Sequence, residues 1–254
     1  MVEAFAVASG KGGTGKTTST MALGMALSER YDVTVVDADT GMANLLFHAG
    51  LADVDTTLHD VLVDGGAPVE AATYDRFGMS VVPCGTSLAA FEEADPERLR
   101  GAVAELATDT DVLLLDSPAT LNSRSAVLPI VLADRVVVVL NPTVPAISDG
   151  LKVQEYALSY GSDVAGTVFN RVRGDARGVR EKAERYFEGP TLATVPESDA
   201  VQAARSAGVP LLAHAPESPA AEAFRSAAGR ISPNDGDSAA VAERFRTAVI
   251  PDPP

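Results

Sequence analysis

Short apolar runs alternate with amphipathic stretches along most of the chain. Runs bounded by turn residues at 5–8, 33–36, 79–82, 112–115, 135–140, 164–169, 191–195 and 209–212 each predict a strand. Between them, apolar positions recur at helical spacing in 16–30, 96–107, 148–160, 176–187, 199–207 and 219–231. Strands this continuously apolar need cover on both faces. The alternation therefore predicts an α/β fold, a doubly wound, mostly parallel sheet with helices on both faces. In such a sheet ligands sit at the carboxyl ends of the strands.

Residues 1–231 read as one domain. The segment 231–238 (ISPNDGDS) collects turn formers and reads as a linker, so 232–254 is expected to be a linker and short tail closed by PDPP. In the tail, Val241, Phe245 and Val249 recur at i, i+4 and i+8, a thin helical stripe. With one aromatic and the basic Arg244 and Arg246 offset by Glu243, it predicts at most weak membrane binding, leaving a frayed end, or docking of the stripe on a partner or on the chain's own domain, as the other readings.

Composition narrows the setting. Cys84 is the only cysteine, which excludes a disulfide framework and a thiolate cluster for zinc or iron and sulfur. No apolar run approaches the ~20 residues of a spanning helix, and a cytoplasmic protein is expected. Thirty-five acidic against twenty basic residues give a net charge of −15, with Lys11, Lys16, Lys152 and Lys182 the only lysines. That balance predicts adaptation to a high-salt cytoplasm and disfavours nucleic acid as a partner.

One motif carries chemistry. Ser9-Gly10-Lys11-Gly12-Gly13-Thr14-Gly15-Lys16-Thr17-Thr18 lies between the first strand and the first helix and fits the phosphate-loop pattern from Gly10 to Thr17. Glycines let successive backbone N–H groups converge on phosphate oxygens, and the helix N-terminus adds partial positive charge. Lys16 is expected to neutralise the β and γ phosphates and the Thr17 hydroxyl to ligate Mg²⁺. Asp116, ending an apolar strand, is costly to bury unless it meets a cation, and is a second Mg²⁺ candidate acting through water. Asp39 follows another strand and either orients the attacking water, assists Mg²⁺, or merely caps a turn. Asp37 is open between this chemistry and a structural partnership with the loop. Asn170 offers donor and acceptor together and can read an adenine edge. His48, His59 and His214 lack metal-ligand spacing and read as structural, and Cys84 reads as a small buried residue.

Lys11 is unusual, because an ordinary phosphate loop needs no second lysine there. In this the chain resembles the deviant Walker A signature of the MinD/ParA family. The resemblance extends over 35–39 (VVDAD) with 43–45 (ANL), 113–119 (LLLDSPA), Asn170-Arg171 and 195–198 (VPES). Segments 57–62 (TLHDVL), 81–83 (VVP) and 94–99 (ADPERL) look like archaeal-type MinD. The resemblance implies an ATPase with ATP and Mg²⁺ as cofactors. Lys11 would reach a partner's nucleotide in an ATP-dependent homodimer, and Asn170, Arg171, Pro196, Glu197 and Ser198 would enclose the base. Lys11, Lys16, Asp39 and Asp116 would be its catalytic set. It further implies a positioning switch that recruits a protein cargo, at a pole or membrane surface. Two alternatives stand beside it. A ParA-type DNA-cargo protein would use Arg171, Arg173, Arg177, Arg180, Lys182 and Arg185, a run diluted by Asp175, Glu181 and Glu184. A nucleotide-dependent scaffold with little hydrolysis would explain Thr120, which stands where the family commonly has a glycine.

Overall fold

β1 (Glu3–Ala8) is buried along its whole length and lies between β5 (Val112–Asp116) and β6 (Arg135–Leu140), parallel to both. The computed structural model describes residues 2–175 and 177–250. With β2 (Val33–Asp37), β3 (Tyr74–Arg76), β4 (Met79–Val82), β7 (Asp163–Val172) and β8 (Thr191–Pro196), these strands form an eight-stranded sheet in the order β3-β4-β2-β5-β1-β6-β7-β8. Only β3 runs antiparallel to its neighbour.

Successive residues of each central strand feed opposite cores, as the pleat requires. On β1, Ala4, Ala6 and Ala8 join the helices Leu99–Leu106 and Arg124–Leu132 on one face, while Phe5 and Val7 join Lys16–Leu27 and Pro219–Gly229 on the other. The expected doubly wound, mostly parallel architecture is the one observed. Earlier strands flank β1 on one side and later strands on the other, which opens a crevice at the carboxyl end of β1.

Several elements differ from expectation. The run 209–212 is not a strand: Pro210 caps a short helix, Leu211–His214, whose Leu211 and Leu212 plug the core. A left-handed Gly208 turns the chain before it, and two leucines satisfy a helical turn as well as a strand. The helix expected at 148–160 starts a turn earlier at Val144, capped by Thr143. The helix expected at 176–187 spans Arg177–Ala183, and Ala176 lies outside the described residues.

The edges of the sheet are covered in different ways. At β8, Arg230 donates from Nη1 to the carbonyls of Thr191 and Leu192, at 2.7 and 3.1 Å. At the other end β3 is three residues long and carries exposed Asp75 and Arg76.

The tail docks on the domain. Glu3, 2% exposed, is gripped by Arg135 at 2.7 and 2.6 Å and by the backbone and side chain of Asn234 at 2.7 and 3.0 Å. The helix Ser238–Thr247 then seats Phe245, fully buried, against Leu99–Leu106. Arg244 pairs with Asp134 at 2.6 Å, and Arg100 reaches the Ala248 carbonyl at 2.8 Å. Val249, expected on the apolar stripe, is 81% exposed because the helix stops at Thr247; Ile250 is buried instead. The closing PDPP lies outside the described residues.

Candidate nucleotide site

The phosphate loop leaves β1 at the crevice. Gly13 and Gly15 have φ of 77° and 93°, left-handed values that side chains resist. Gly15 is the N-cap of the helix Lys16–Leu27, so the first free N–H groups of that helix face the loop. A β-carbon on Gly15 would stand 2.2 Å from Asn170 Nδ2, and one on Gly10 would strike the backbone of Asp149 at 2.3 Å. Both glycines are thus fixed by close approach. Lys16 is 9% exposed, Thr17 and Thr18 are half-buried, and Lys11, Gly12 and Gly13 lie open to solvent.

Carboxylates gather beside this loop. Asp37 and Asp116 are register partners at the ends of β2 and β5, 0% and 2% exposed. Burial pushes the Asp116 carboxyl up to about 6, against the opposing pull of the Thr17 hydroxyl, the Lys16 charge and the Thr20 hydroxyl, which donates at 2.9 Å. Burial, reinforced by Asp116, pushes Asp37 well above the usual carboxylate range. Asp37 Oδ2 accepts from Leu45 N at 3.2 Å, so its partner is the helix Leu45–His48, not the phosphate loop. Asp39 is half-buried; burial raises its carboxyl while Lys16 opposes. Its Oδ1 accepts from Met42 N at 3.1 Å, so it is a turn aspartate that also faces the loop lysine.

The donor set suits a phosphate group with a divalent ion. Thr14 Oγ1, Ser117 Oγ and Asp37 Oδ1 are buried without partners. Among the described residues no group of three or more His, Cys, Asp and Glu side chains is placed to hold a metal alone. Thr17 and Asp116 therefore fit an ion whose remaining ligands are phosphate oxygens and water, the usual arrangement for Mg²⁺.

The expected base-binding residues converge from β7 and β8. Asn170, 7% exposed, donates from Nδ2 to the Thr14 carbonyl at 2.8 Å and accepts from Arg171 N at 2.9 Å. Arg171 is a non-glycine residue at φ 55°, the kind of local strain that collects at binding sites. Val172 pairs with Pro196, which brings Pro196, Glu197 and Ser198 alongside. The Glu197 carboxylate is taken by Arg173, with one contact at 2.6 Å, and Ser198 caps the helix Asp199–Ser206. In the basic run, Arg173, Arg177 and Arg180 pair with Glu197, Asp175 and Glu184.

Sequence reading missed Thr20 and Asp149. Thr20 had a signal, since it stands one helical turn after Lys16 and shares its face. Asp149 had none, because its backbone meets Gly10 only through the sheet's topology. Thr120 is exposed and lies outside the left-handed region, so its β-carbon fits the loop without strain; its hydroxyl donates to Asn122 at 2.8 Å. The Cys84 thiol is pushed up by burial and donates to the Asp37 carbonyl at 3.2 Å.

Comparison with known proteins agrees with this geometry. Residues 5–211 match the CobQ/CobB/MinD/ParA nucleotide binding domain. An uncharacterized ATP-binding protein of Methanocaldococcus jannaschii is 38% identical over 82% of this chain and 79% of its own length. The cell division ATPase MinD of Pyrococcus furiosus superposes with a TM-score of 0.84 at 37% identity, covering 91% of this chain and 98% of that one. MinD of Pyrococcus horikoshii, solved with Mg-ADP, superposes with a TM-score of 0.83 at 34% identity, covering 90% and 95%. With a phosphate loop at the central strand, paired aspartates beside it and matches of this extent, the chain belongs to the MinD/ParA family of nucleotide-binding proteins.

Proposed function

We propose that the chain is a MinD-type ATPase acting as a spatial-positioning switch, in which ATP joins two copies and hydrolysis separates them. The observation that carries this reading is the contrast between two lysines of one loop. Lys16 is buried among the carboxylates, whereas Lys11 stands in solvent at the lip of the cradle. A lysine so placed is free to serve the phosphates of a second copy, and twofold pairing makes the exchange reciprocal.

ATP and Mg²⁺ are the cofactors. Backbone N–H groups from Gly10 to Thr18 and the Lys16 ammonium hold the phosphates, Thr17 and Asp116 hold the ion, and Asp39 orients water at the γ-phosphate. Mg²⁺, when bound there, would supply positive charge that offsets the charge developing on the phosphates. Asn170, with Arg171 and the Pro196 to Ser198 segment, holds the base. The γ-phosphate does its work by population shift, since it binds the paired state better than the single one. The partner is a protein cargo. Ion pairing of Arg173, Arg177 and Arg180 offsets half of the basic run, and the net charge of −15 opposes DNA, so nucleic acid is the weaker reading although Arg171, Lys182 and Arg185 stay exposed. The setting is cytoplasmic, and among the described residues no helix is long and apolar enough to cross a membrane. The acidic surface suits a salt-rich interior, so Tm should rise with added KCl.

The test is light scattering with Mg²⁺ and a slowly hydrolysed ATP analogue. The wild-type mass doubles, and Lys11→Ala binds the nucleotide but stays single. A normal dimer from Lys11→Ala would overturn the proposal.

A further inference from the structure

The loop carrying Asp39 is held from behind by a histidine that the ATPase reading leaves unused. His59 lies in the short helix Leu58–Val61, is 1% exposed, and places Nε2 2.9 Å from the Thr40 carbonyl. A carbonyl only accepts, so Nε2 carries the proton. Nδ1 is buried with no partner. Burying an unpaired ring nitrogen is unfavourable, and a leucine or phenylalanine would fill the same space without that cost. What histidine adds is the one N–H aimed at Thr40, the residue directly after Asp39.

The surroundings keep that N–H in place. Thr57 and Asp60 close a capping box around the helix start, with Thr57 N 2.7 Å from the Asp60 carboxylate. Leu58 N is anchored to the Pro83 carbonyl at 2.8 Å, at the end of β4. The Phe91 ring meets the imidazole edge-on at 6.3 Å and also covers Gly41, lying 3.7 Å from where its β-carbon would be. The loop's own bonds are local: Met42 N donates to the carbonyl and carboxylate of Asp39, Gly41 N adds a bond to that carboxylate, and Asn44 Nδ2 donates to the Met42 carbonyl at 2.7 Å. Its backbone direction at Thr40 thus depends on a side chain rooted in a different segment.

We propose that His59 is a positioning residue for ATP hydrolysis: by holding the Thr40 carbonyl, it fixes the turn that presents Asp39 to the phosphate site. This rests on the role given to Asp39 above. His59 touches neither nucleotide nor water in the reaction. Its removal affects kcat and leaves ground-state binding alone, because the phosphate loop and Asn170 are built without it.

The test compares full-length wild type, H59Q, H59N, H59L and D39A in steady-state ATP hydrolysis, with ATP affinity, ATP-driven dimerisation and thermal unfolding measured on each. Glutamine carries an N–H near the Nε2 position, whereas asparagine falls short and leucine has none. H59N and H59L are expected to lower kcat about tenfold or more, inside the ~100-fold that a 1 Å misplacement can cost. KM and dimerisation should stay within about twofold, and H59Q should recover kcat to within about threefold. If H59L does not fold, H59Q against H59N carries the comparison. Wild-type kcat in H59N, or H59Q as slow as H59N, would overturn the role of His59. Wild-type kcat in D39A would instead remove the Asp39 reading on which it rests.

Discussion

Asn170 and Thr14 join the two halves of the site: the amide of Asn170 donates to the Thr14 carbonyl at 2.8 Å, across the gap between the end of β7 and the phosphate loop. The residue expected to read the base therefore also braces the loop that holds the phosphates. Asn170→Ala should weaken ATP about tenfold, the worth of one to two buried hydrogen bonds. It should also weaken inorganic triphosphate, which has no base. Unchanged triphosphate affinity in a calorimetric titration would reduce Asn170 to a base reader.

Lys16 is the buried positive charge beside Asp39 and Asp116, and both carboxyls are influenced by it. Lys16→Ala should abolish detectable ATP binding, because the phosphates lose their main neutralising group in a desolvated site. Direct titration checks this, and retained affinity would remove the phosphate-loop assignment.

Asp39→Ala should keep ATP affinity while turnover falls by roughly 100-fold, so that dimers persist with ATP. Loss of nucleotide along with turnover would place Asp39 in binding or folding.

His48 supplies a pH dependence. Burial first, and Arg205 second, push its imidazole down from 6.5 to about 4. A base whose folded value is depressed stays neutral in the folded chain while the unfolded chain takes up a proton. The stability present above pH 6.5 is thus lost as pH falls from 6.5 toward 4, reaching about 3 kcal/mol at the lower end. His48→Gln should flatten the slope of unfolding free energy against pH over that window. An identical slope in the variant would show that other groups carry it.

Phe245 anchors the tail, with its ring fully buried against the domain. Phe245→Ala should cost about 3–5 kcal/mol of stability and leave ATP affinity unchanged. Deleting 239–254 should likewise lower Tm and spare nucleotide binding. With its one aromatic used inside the fold, the helix has little to offer lipid, and the intact chain should not sediment with anionic vesicles. ATP-dependent sedimentation lost on deletion would show that the helix undocks.

The legible part of this molecule was the part with strong local grammar. The place of the phosphate loop between β1 and its helix, the buried strands and the position of Asp116 at a strand end could be read directly, because each needs particular residue types at fixed spacing. Elements that lack such a signal were misread or overlooked. The 209–212 run offers only Val209 and the adjacent Leu211 and Leu212, too few to separate a period of two from one of 3.6. β3 was hidden because Tyr74, Asp75 and Arg76 are half-exposed or exposed, and its turn uses Phe77 and Gly78 at φ 54° and 81° instead of an Asn-Gly pair. The helix Arg124–Leu132 is apolar on most sides and contains Pro129, so no amphipathic period marked it. His59 looked like one more satisfied core histidine, and only its reach to Thr40 distinguishes it.

The covered margins of the sheet bear on how many copies can gather. An open margin invites strand addition, and strand addition has no natural stopping point. Here the guanidinium of Arg230 occupies the first two carbonyls of β8, and the opposite margin ends in a three-residue strand with charged side chains. Among the described residues both margins are thus blunted as templates for a fibre. Raising the local concentration of such a chain therefore gives strand-to-strand growth little purchase at either margin.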